Sequence, residues 1–335
     1  MRTPTIRDVA KRAGVGVGTV SRVLNGSDQV REITRQRVLV AIDELDFSPN
    51  SAARQLSGGK TFTIGVVSPF FTFPSFVERL SGIQDVLDGT DYDLTLYSIR
   101  STAQLRRRLA GLVLQNRVDG LFILALPISE EETYDANPDL PIVVVDDTVH
   151  VRRYPHLLID NFRGGQMATD YLLKHGHTRL GFIGDRVEEE SFGFTSARDR
   201  FDGFKDRLQA TGLPVNPNWC RFCLHGEDHA RQAAREILSQ PERPTAIFAA
   251  IDTLAFGVLG AASDLDLRVP EDLAVIGFDD IQAAGFAKLT TVRQHLFQSG
   301  QLSAQLMLDW LRTGYVPADR WTLTMPLEIV DRSTV

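Results

Sequence analysis

Between residues 17 and 25 the chain reads VGTVSRVLN, and this short run holds Thr19, Ser21, Arg22 and Asn25. A guanidinium can present two parallel N–H groups to the O6 and N7 of a guanine, so Arg22 is the candidate base reader. Hydroxyls and amides bond phosphate oxygens, which makes Thr5, Thr19, Ser21 and Asn25 candidate positioning contacts. Such chemistry needs a rod that fits a DNA major groove. Val20, Val23 and Leu24 give the run an apolar side at helical spacing, which predicts a short helix. Upstream, Thr5 followed by Asp8 has the form of a helix start, since a hydroxyl caps orphan amides and a carboxylate favours the positive helix end. Val9, Ala10 and Ala13 then share one face, Gly14 can take the left-handed conformation that ends a helix, and Val15 can bury in the corner. Two helices joined this way form a helix-turn-helix whose second helix is sized for the groove. A third helix is expected from about Thr34 to Leu45, with Val38, Ala41, Ile42 and Leu45 closing a three-helix core.

Charge supports this division. Residues 1–60 hold 10 Lys/Arg against 6 Asp/Glu, whereas the remainder holds 26 against 37. A basic head on an acidic body suits a head that meets phosphate. The chain has 335 residues, enough for two or three domains, and its 43% hydrophobic content is ordinary for a soluble globular protein. No apolar run approaches the roughly 18 residues of a membrane span, and no secretion signal opens the chain. With two cysteines, a reducing compartment is expected, and a DNA-binding head places the protein in the cytoplasm, associated with the nucleoid.

Beyond Thr61 the pattern alternates. TIGVV (63–67), DLTLYSI (93–99), GLFILAL (120–126), PIVVVDD (141–147), LGFIGD (180–185), TAIFAAID (245–252) and LAVIGFDD (273–280) read as strands. Residues 77–89, 164–176 and 198–212 read as amphipathic helices. Apolar strands separated by such helices imply α/β architecture with two parallel sheets covered on both faces, hence two lobes with ligand binding between them. FSPNSAARQLSGGKT (47–61) lies between head and body. Pro49 can open a helix and Gly58-Gly59 stops it, so the segment reads either as a plain linker or as a short helix that needs outside stabilisation.

The DVA and TVSRVLN runs resemble the headpiece of the lactose-repressor (LacI/GalR) family of bacterial transcription regulators. VDGLFIL, VVVDD, GHTRLGFIGD, RDRFDGF, PEDLAVIGFDD and LTTVRQ resemble that family's effector core, which is like a periplasmic sugar-binding protein. The resemblance covers essentially the whole chain. It implies a helix-turn-helix headpiece over 1–46, a hinge helix over 47–60 and an effector and dimerisation core over 61–335. The first lobe is expected at about 61–160 and 291–322, the second at about 161–290 and 323–335. Val17 and Gly18 occupy the family's variable, operator-setting positions. Val17 can touch a thymine methyl, and Gly18 reads little. Gly16 stands where the family usually caps the recognition helix with serine, at a cost of a few tenths of a kcal/mol. Leu56 matches the hinge leucine that wedges into the minor groove, with Asn50 and Ala53 nearby. Two hinges meeting at one step imply a homodimer on a pseudo-palindromic operator. No leucine heptad tail follows LEIVDR, so a dimer is expected rather than a tetramer.

For the effector, the resemblance assigns Arg200 and Asp279 to sugar hydroxyls and Asp146 to an acidic contact. Asp252 is either a further contact or the cap of the next helix. Phe70, Phe71 and Phe73 crowd the cleft mouth, either to stack on a ring or as core. Ile251 stands where several sugar-responsive relatives carry Asn or Ser. The loop before Arg198, with Phe192 and Phe194, is expected to line the cleft. A wide aromatic site suits a glycoside or disaccharide. The reading is therefore a repressor released by a small carbohydrate, with a nucleobase or other small metabolite acting as corepressor as the alternative. Trp219-Cys220-Arg221-Phe222-Cys223 contains C-x-x-C but reads as extended chain, and His225 and His229 do not complete a metal set. No phosphate loop, G-x-S-x-G or paired catalytic carboxylates occur, so neither an enzyme nor a cofactor is expected.

Overall fold

The computed structural model describes residues 4–24, 29–47, 60–69, 71–114, 117–126, 128, 133, 137–146, 153–185 and 195–335. By contact, the chain divides into two compact units, Met1–Phe62 and Thr63–Val335.

The first unit holds α1 (Ile6–Ala13), α2 (Val17–Leu24) and α3 (Glu32–Glu44). The Thr5 amide and hydroxyl both donate to Asp8 Oδ2, at 2.9 and 2.6 Å, so the carboxylate closes the start of α1. Gly14 ends α1 at φ 66°, and the Arg37 guanidinium of α3 donates to the Ala13 carbonyl there. The Gly16 carbonyl accepts from Thr19 and Val20 at 2.9 and 3.3 Å, which places Gly16 at the cap of α2. α3 opens at Glu32 rather than Thr34 because the Arg31 carbonyl already accepts from Thr34 and Arg35. Val9, Ala10, Ala13, Val20, Val23, Val38 and Ala41 form the core, with Val15, Leu24, Ile42 and Leu45 packed at its margin. Asn25 and the expected hinge residues Asn50, Ala53 and Leu56 lie outside the described residues.

The second unit carries β1 (Thr63–Ser68), β2 (Asp93–Ser98), β3 (Gly120–Leu124), β4 (Ile142–Val145), β5 (His156–Leu158), β6 (Leu180–Asp185), β7 (Cys220–Cys223), β8 (Ala246–Ala249), β9 (Ala274–Asp279), β10 (Thr290–Arg293), β11 (Thr322–Thr324) and β12 (Glu328–Val330). They form two sheets, ordered β11-β5-β4-β3-β1-β2 and β12-β10-β9-β8-β6-β7. Every pairing is parallel except β10 with β12. β3, β4, β8 and β9 are buried along their whole length, as helix cover on both faces requires. The chain passes between lobes after β5, after β10 and after β11. The expected crossings at 291 and 323 move, because Thr290–Arg293 is still a strand of the second sheet and Thr322–Thr324 is still paired with β5 in the first.

Each lobe packs the helix that follows a crossing onto the helix that follows its first strand. In lobe 1, Leu296–Thr313 lies on Pro74–Leu87. In lobe 2, Asn161–Lys174 lies on Ser196–Ala210. The backbones touch, since a Cβ on Gly82 or Gly300 would sit 2.0 or 2.1 Å from the carbonyl oxygens of Phe297 and Arg79. A Cβ on Gly165 or Gly203 would sit 2.1 Å from those of Arg200 and Phe162.

Candidate DNA-reading helix and effector cleft

α2 turns Val20 and Val23 inward and leaves Val17 42% exposed. Gly18 is exposed with open space around it. Arg22 is exposed as well, while the ion pairs of this unit run between Arg12 and Glu44 and between Arg35 and Glu32. Among the described residues, then, an unpaired guanidinium stands on the outer face of the second helix. Thr19 and Ser21 are half-buried beside it. Thr5 differs from the expectation: its amide and hydroxyl are both committed to Asp8.

In the second unit, polar groups gather where strands of both lobes end. Arg200 is 3% exposed and Asp279, at the end of β9, is 6% exposed. Their closest approach is 3.8 Å. Arg200 Nε donates to Asn161 Oδ1 at 2.8 Å, Nη1 donates to the Ala250 carbonyl at 2.6 Å, and the guanidinium lies 3.7 Å from the Phe278 ring centroid. From lobe 1, Arg79 is 1% exposed. It meets Asp146 at 2.9 Å and donates to Gln294 Oε1 at 2.9 Å. Gln294 in turn donates to Asp279. One polar chain thus runs Asp146–Arg79–Gln294–Asp279–Arg200–Asn161 across both lobes and two crossings. Asp146, Asp279 and Asp280 adopt φ of 60°, 120° and 58°, conformations that cost non-glycine residues free energy and persist where surrounding contacts hold them.

Burial pushes the Asp279 carboxyl up to about 6, against the pull of Arg200, Arg79 and the Gln294 bond. Burial likewise lowers the proton affinity of Arg200, while Asp279, Asp146 and Asp185 oppose it. Among the described residues, the buried side-chain atoms without a hydrogen-bond partner include Ser68 Oγ, Arg79 Nε, Asp146 Oδ1 and Asp185 Oδ1. Native proteins rarely leave such atoms unmet unless something else satisfies them. Acceptors and donors in this mixture suit a hydroxyl-bearing ligand.

The other expected residues divide. Phe73 stacks on His225 of the second lobe, with centroids 3.7 Å apart and planes 4° from parallel. His225 Nδ1 lies 3.1 Å from Asp185 Oδ2. Phe71 is 38% exposed, and Phe70, Phe192 and Phe194 lie outside the described residues. Ile251 is half-buried against the second lobe's core and precedes the helix Asp252–Asp264. Asp252 departs from both readings. It is 0% exposed, its side chain does not cap its own helix, and both carboxylate oxygens are taken up within the second lobe. Oδ2 accepts from the Ile281 amide at 2.9 Å and Oδ1 from the Thr291 hydroxyl at 2.5 Å, tying the turn after β9 to β10. Burial, reinforced by Asp279, pushes its carboxyl well up. Cys220 and Cys223 form strand β7, and burial pushes the Cys220 thiol up to about 11, which leaves it unreactive. Among the described residues no group of His, Cys, Asp and Glu could hold a metal ion, and no helix is long and apolar enough to cross a membrane.

Sequence reasoning missed Arg79, Gln294, Ser68, Asp185 and His225. A signal for Arg79 was present: RLSGIQDVL (79–87) repeats the pattern of RFDGFKDRL (200–208), R-x-x-G-x-x-D-x-L.

Comparison with known proteins agrees with both units. Residues 5–50 match bacterial regulatory proteins of the lacI family, and residues 169–335 match a periplasmic binding protein-like domain. The HTH-type transcriptional repressor PurR of Vibrio vulnificus (strain CMCP6) is 32% identical over 335 residues, covering 99% of this chain and 98% of the relative. Among solved structures, the lac repressor dimer bound to operator and the anti-inducer ONPF superposes with TM-score 0.83 at 25% identity, covering 99% of each chain. A transcriptional regulator CelR–cellobiose complex superposes with TM-score 0.69 at 29% identity, covering 99% of this chain and 100% of that one. A helix-turn-helix unit with a two-lobed, polar-cleft core defines a DNA-binding regulator that answers to a small molecule. The chain belongs to the lacI family of bacterial regulatory proteins, as a DNA-binding transcriptional repressor and not an enzyme.

Proposed function

We propose that this repressor leaves its operator when a small carbohydrate enters the cleft. The observation that carries the reading is the set of buried, unmet polar atoms at the strand ends, Ser68 Oγ, Asp146 Oδ1 and Asp185 Oδ1, beside the Arg200–Asp279 pair. Carboxylate and guanidinium groups each grip two neighbouring hydroxyls, and an aromatic face such as Phe73 covers an apolar ring face. The cellobiose held by one structural relative supports the same class. On the DNA side, Arg22 reads guanine in the major groove, Val17 and Gly18 set the neighbouring preference, and Thr19, Ser21 and Asn25 position the helix. Two copies bring paired hinges, with Asn50, Ala53 and Leu56, to the centre of a pseudo-palindromic operator. Effector changes lobe closure, the hinges lose their mutual support, and operator affinity falls. By linkage, operator weakens effector binding by the same factor.

A corepressor reading, with a nucleobase or other small metabolite, draws on the parallel Phe73–His225 stack, whose rings are in contact at 3.7 Å, so that a flat aromatic ring can be stacked at this place once it displaces one of them. Operator-DNA anisotropy with the purified protein, titrated with sugars, glycosides and nucleobases, separates the two. Release by a carbohydrate is the expected result. Tightening by a nucleobase overturns it.

A further inference from the structure

The two sides of the cleft repeat one arrangement. The sheet orders β2-β1-β3-β4-β5 and β7-β6-β8-β9-β10 correspond strand for strand. After β1 comes the helix bearing Arg79, and after β6 the helix bearing Arg200. Asp146 follows β4, and Asp279 ends the matching β9. Arg79 faces Asp146 and donates to Gln294 in the crossing after β10. Arg200 faces Asp279 and donates to Asn161 at the crossing after β5. The helices after the crossings repeat too, as FQSGQ (297–301) and FRGGQ (162–166). Gln301 donates to Asp85 and Gln166 to Asp206, each at 2.7 Å. Arg79 is therefore the lobe-1 counterpart of Arg200.

We propose that Arg79 with Asp146 is a second hydroxyl-gripping pair, and that the effector is a neutral two-ended ligand, a disaccharide or glycoside, held by one Arg–Asp pair from each lobe. This rests on the cleft being the carbohydrate site described above. Arg79 Nε and Asp146 Oδ1 are buried and unmet, so the lobe-1 pair keeps one donor and one acceptor for a ligand. The two pairs balance in charge, and Asp185 adds a further carboxylate, so an acidic sugar is disfavoured. Gln294 joins the pairs through Arg79 and Asp279, so occupancy of both ends acts on a crossing between the lobes.

The test titrates cellobiose and glucose calorimetrically into the full-length wild type, Arg79→Met and Arg200→Met, and measures amide hydrogen exchange of the same proteins without sugar. Either substitution is expected to weaken cellobiose by about tenfold or more, and wild type is expected to prefer cellobiose to glucose by a similar factor. Exchange is expected to quicken at residues 294–295 in Arg79→Met and at 160–161 in Arg200→Met. An Arg79→Met protein with wild-type cellobiose affinity and wild-type exchange overturns the proposal, and so does equal affinity for the two sugars. A wild type silent to both sugars overturns the carbohydrate reading and with it the ligand class, while exchange at 294–295 still decides whether Arg79 mirrors Arg200. If Arg79→Met does not fold, Gln294→Leu cuts the same connection from the crossing and carries the same expectations.

Discussion

The two lobes share a plan and differ in how tightly each holds its arginine. Arg200 is committed on several sides, to Asn161, to the Ala250 carbonyl, to Asp279 and to the face of Phe278. Arg79 has the shorter ion pair, to Asp146 at 2.9 Å, yet its Nε has no partner. At the strand position of Phe278, just before the aspartate, lobe 1 carries Val145, which offers no ring face. The same fold therefore gives lobe 2 a fixed arginine and lobe 1 an arginine with bonding capacity in reserve. In the proposed site one wall is pre-organised and the ligand completes the other, which would give the ligand a means to bias lobe closure.

The equivalence of the lobes can be broken at the glycine contacts, where the largest effect is expected. Gly82→Val and Gly203→Val each drive a side chain into a backbone carbonyl that a Cβ would already approach to 2.0 or 2.1 Å. Neither carbonyl is the end of a flexible side chain, so the helix pair must part. The expected loss is about 3 kcal/mol or more in each lobe, read from urea denaturation. A tolerated Gly82→Val beside a ruinous Gly203→Val would show that lobe 1 is loosely packed and that its arginine is not held as in lobe 2.

Burial and periodicity decide how much of the fold can be read from the chain alone. GLFIL and AVIGFD are legible as strands because both faces are buried and every position but the terminal Asp279 is apolar. β5, β11 and β12 are not, since three residues carry no period and their pairing is decided by distant partners. Asp252–Asp264 escaped because DTLAFGVLGAASD is apolar on most sides and lacks a polar face to reveal its turn. Arg200 and Asp279 were reached through resemblance. Arg79 was not, because a charged residue on an amphipathic helix reads as solvent-facing, and its burial comes from the approach of Gly300 to its own carbonyl. Asp252 was misread because nothing local announces that its partners are Ile281 and Thr291.

Asp279 binds its proton more tightly folded, with a midpoint of about 6, than unfolded near 3.8. Between those values the folded state carries more protons, so this group's contribution to stability is full below about 4 and is lost as pH rises through about 6. Asp279→Asn should remove that decline, so that wild type minus variant falls across the window and is flat on either side. Urea midpoints measured from pH 4 to 7.5 check this. Effector binding should run the other way. In the proposed site a charged Asp279 accepts effector hydroxyls, so affinity should weaken below about pH 6, approaching about tenfold per pH unit. An affinity unchanged from pH 5 to 7.5 would remove Asp279 from the site and leave its burial a matter of fold alone.

The smallest effect expected is also the most even-handed test of the repeat. Gln166 donates to Asp206 and Gln301 to Asp85, both at 2.7 Å and both in exposed positions. Each bond exchanges one with water, so Gln166→Ala and Gln301→Ala should each cost about 0.5 kcal/mol. The informative quantity is the difference between them. Equal losses fit two lobes that hold their paired helices alike, and place the asymmetry of the molecule in the cleft, where Arg79 and Arg200 diverge. A loss at Gln166 with none at Gln301 would instead mean that the helix after the crossing is less firmly seated in lobe 1. Arg79's spare bonding capacity would then follow from looser packing rather than from Val145 standing where lobe 2 has Phe278.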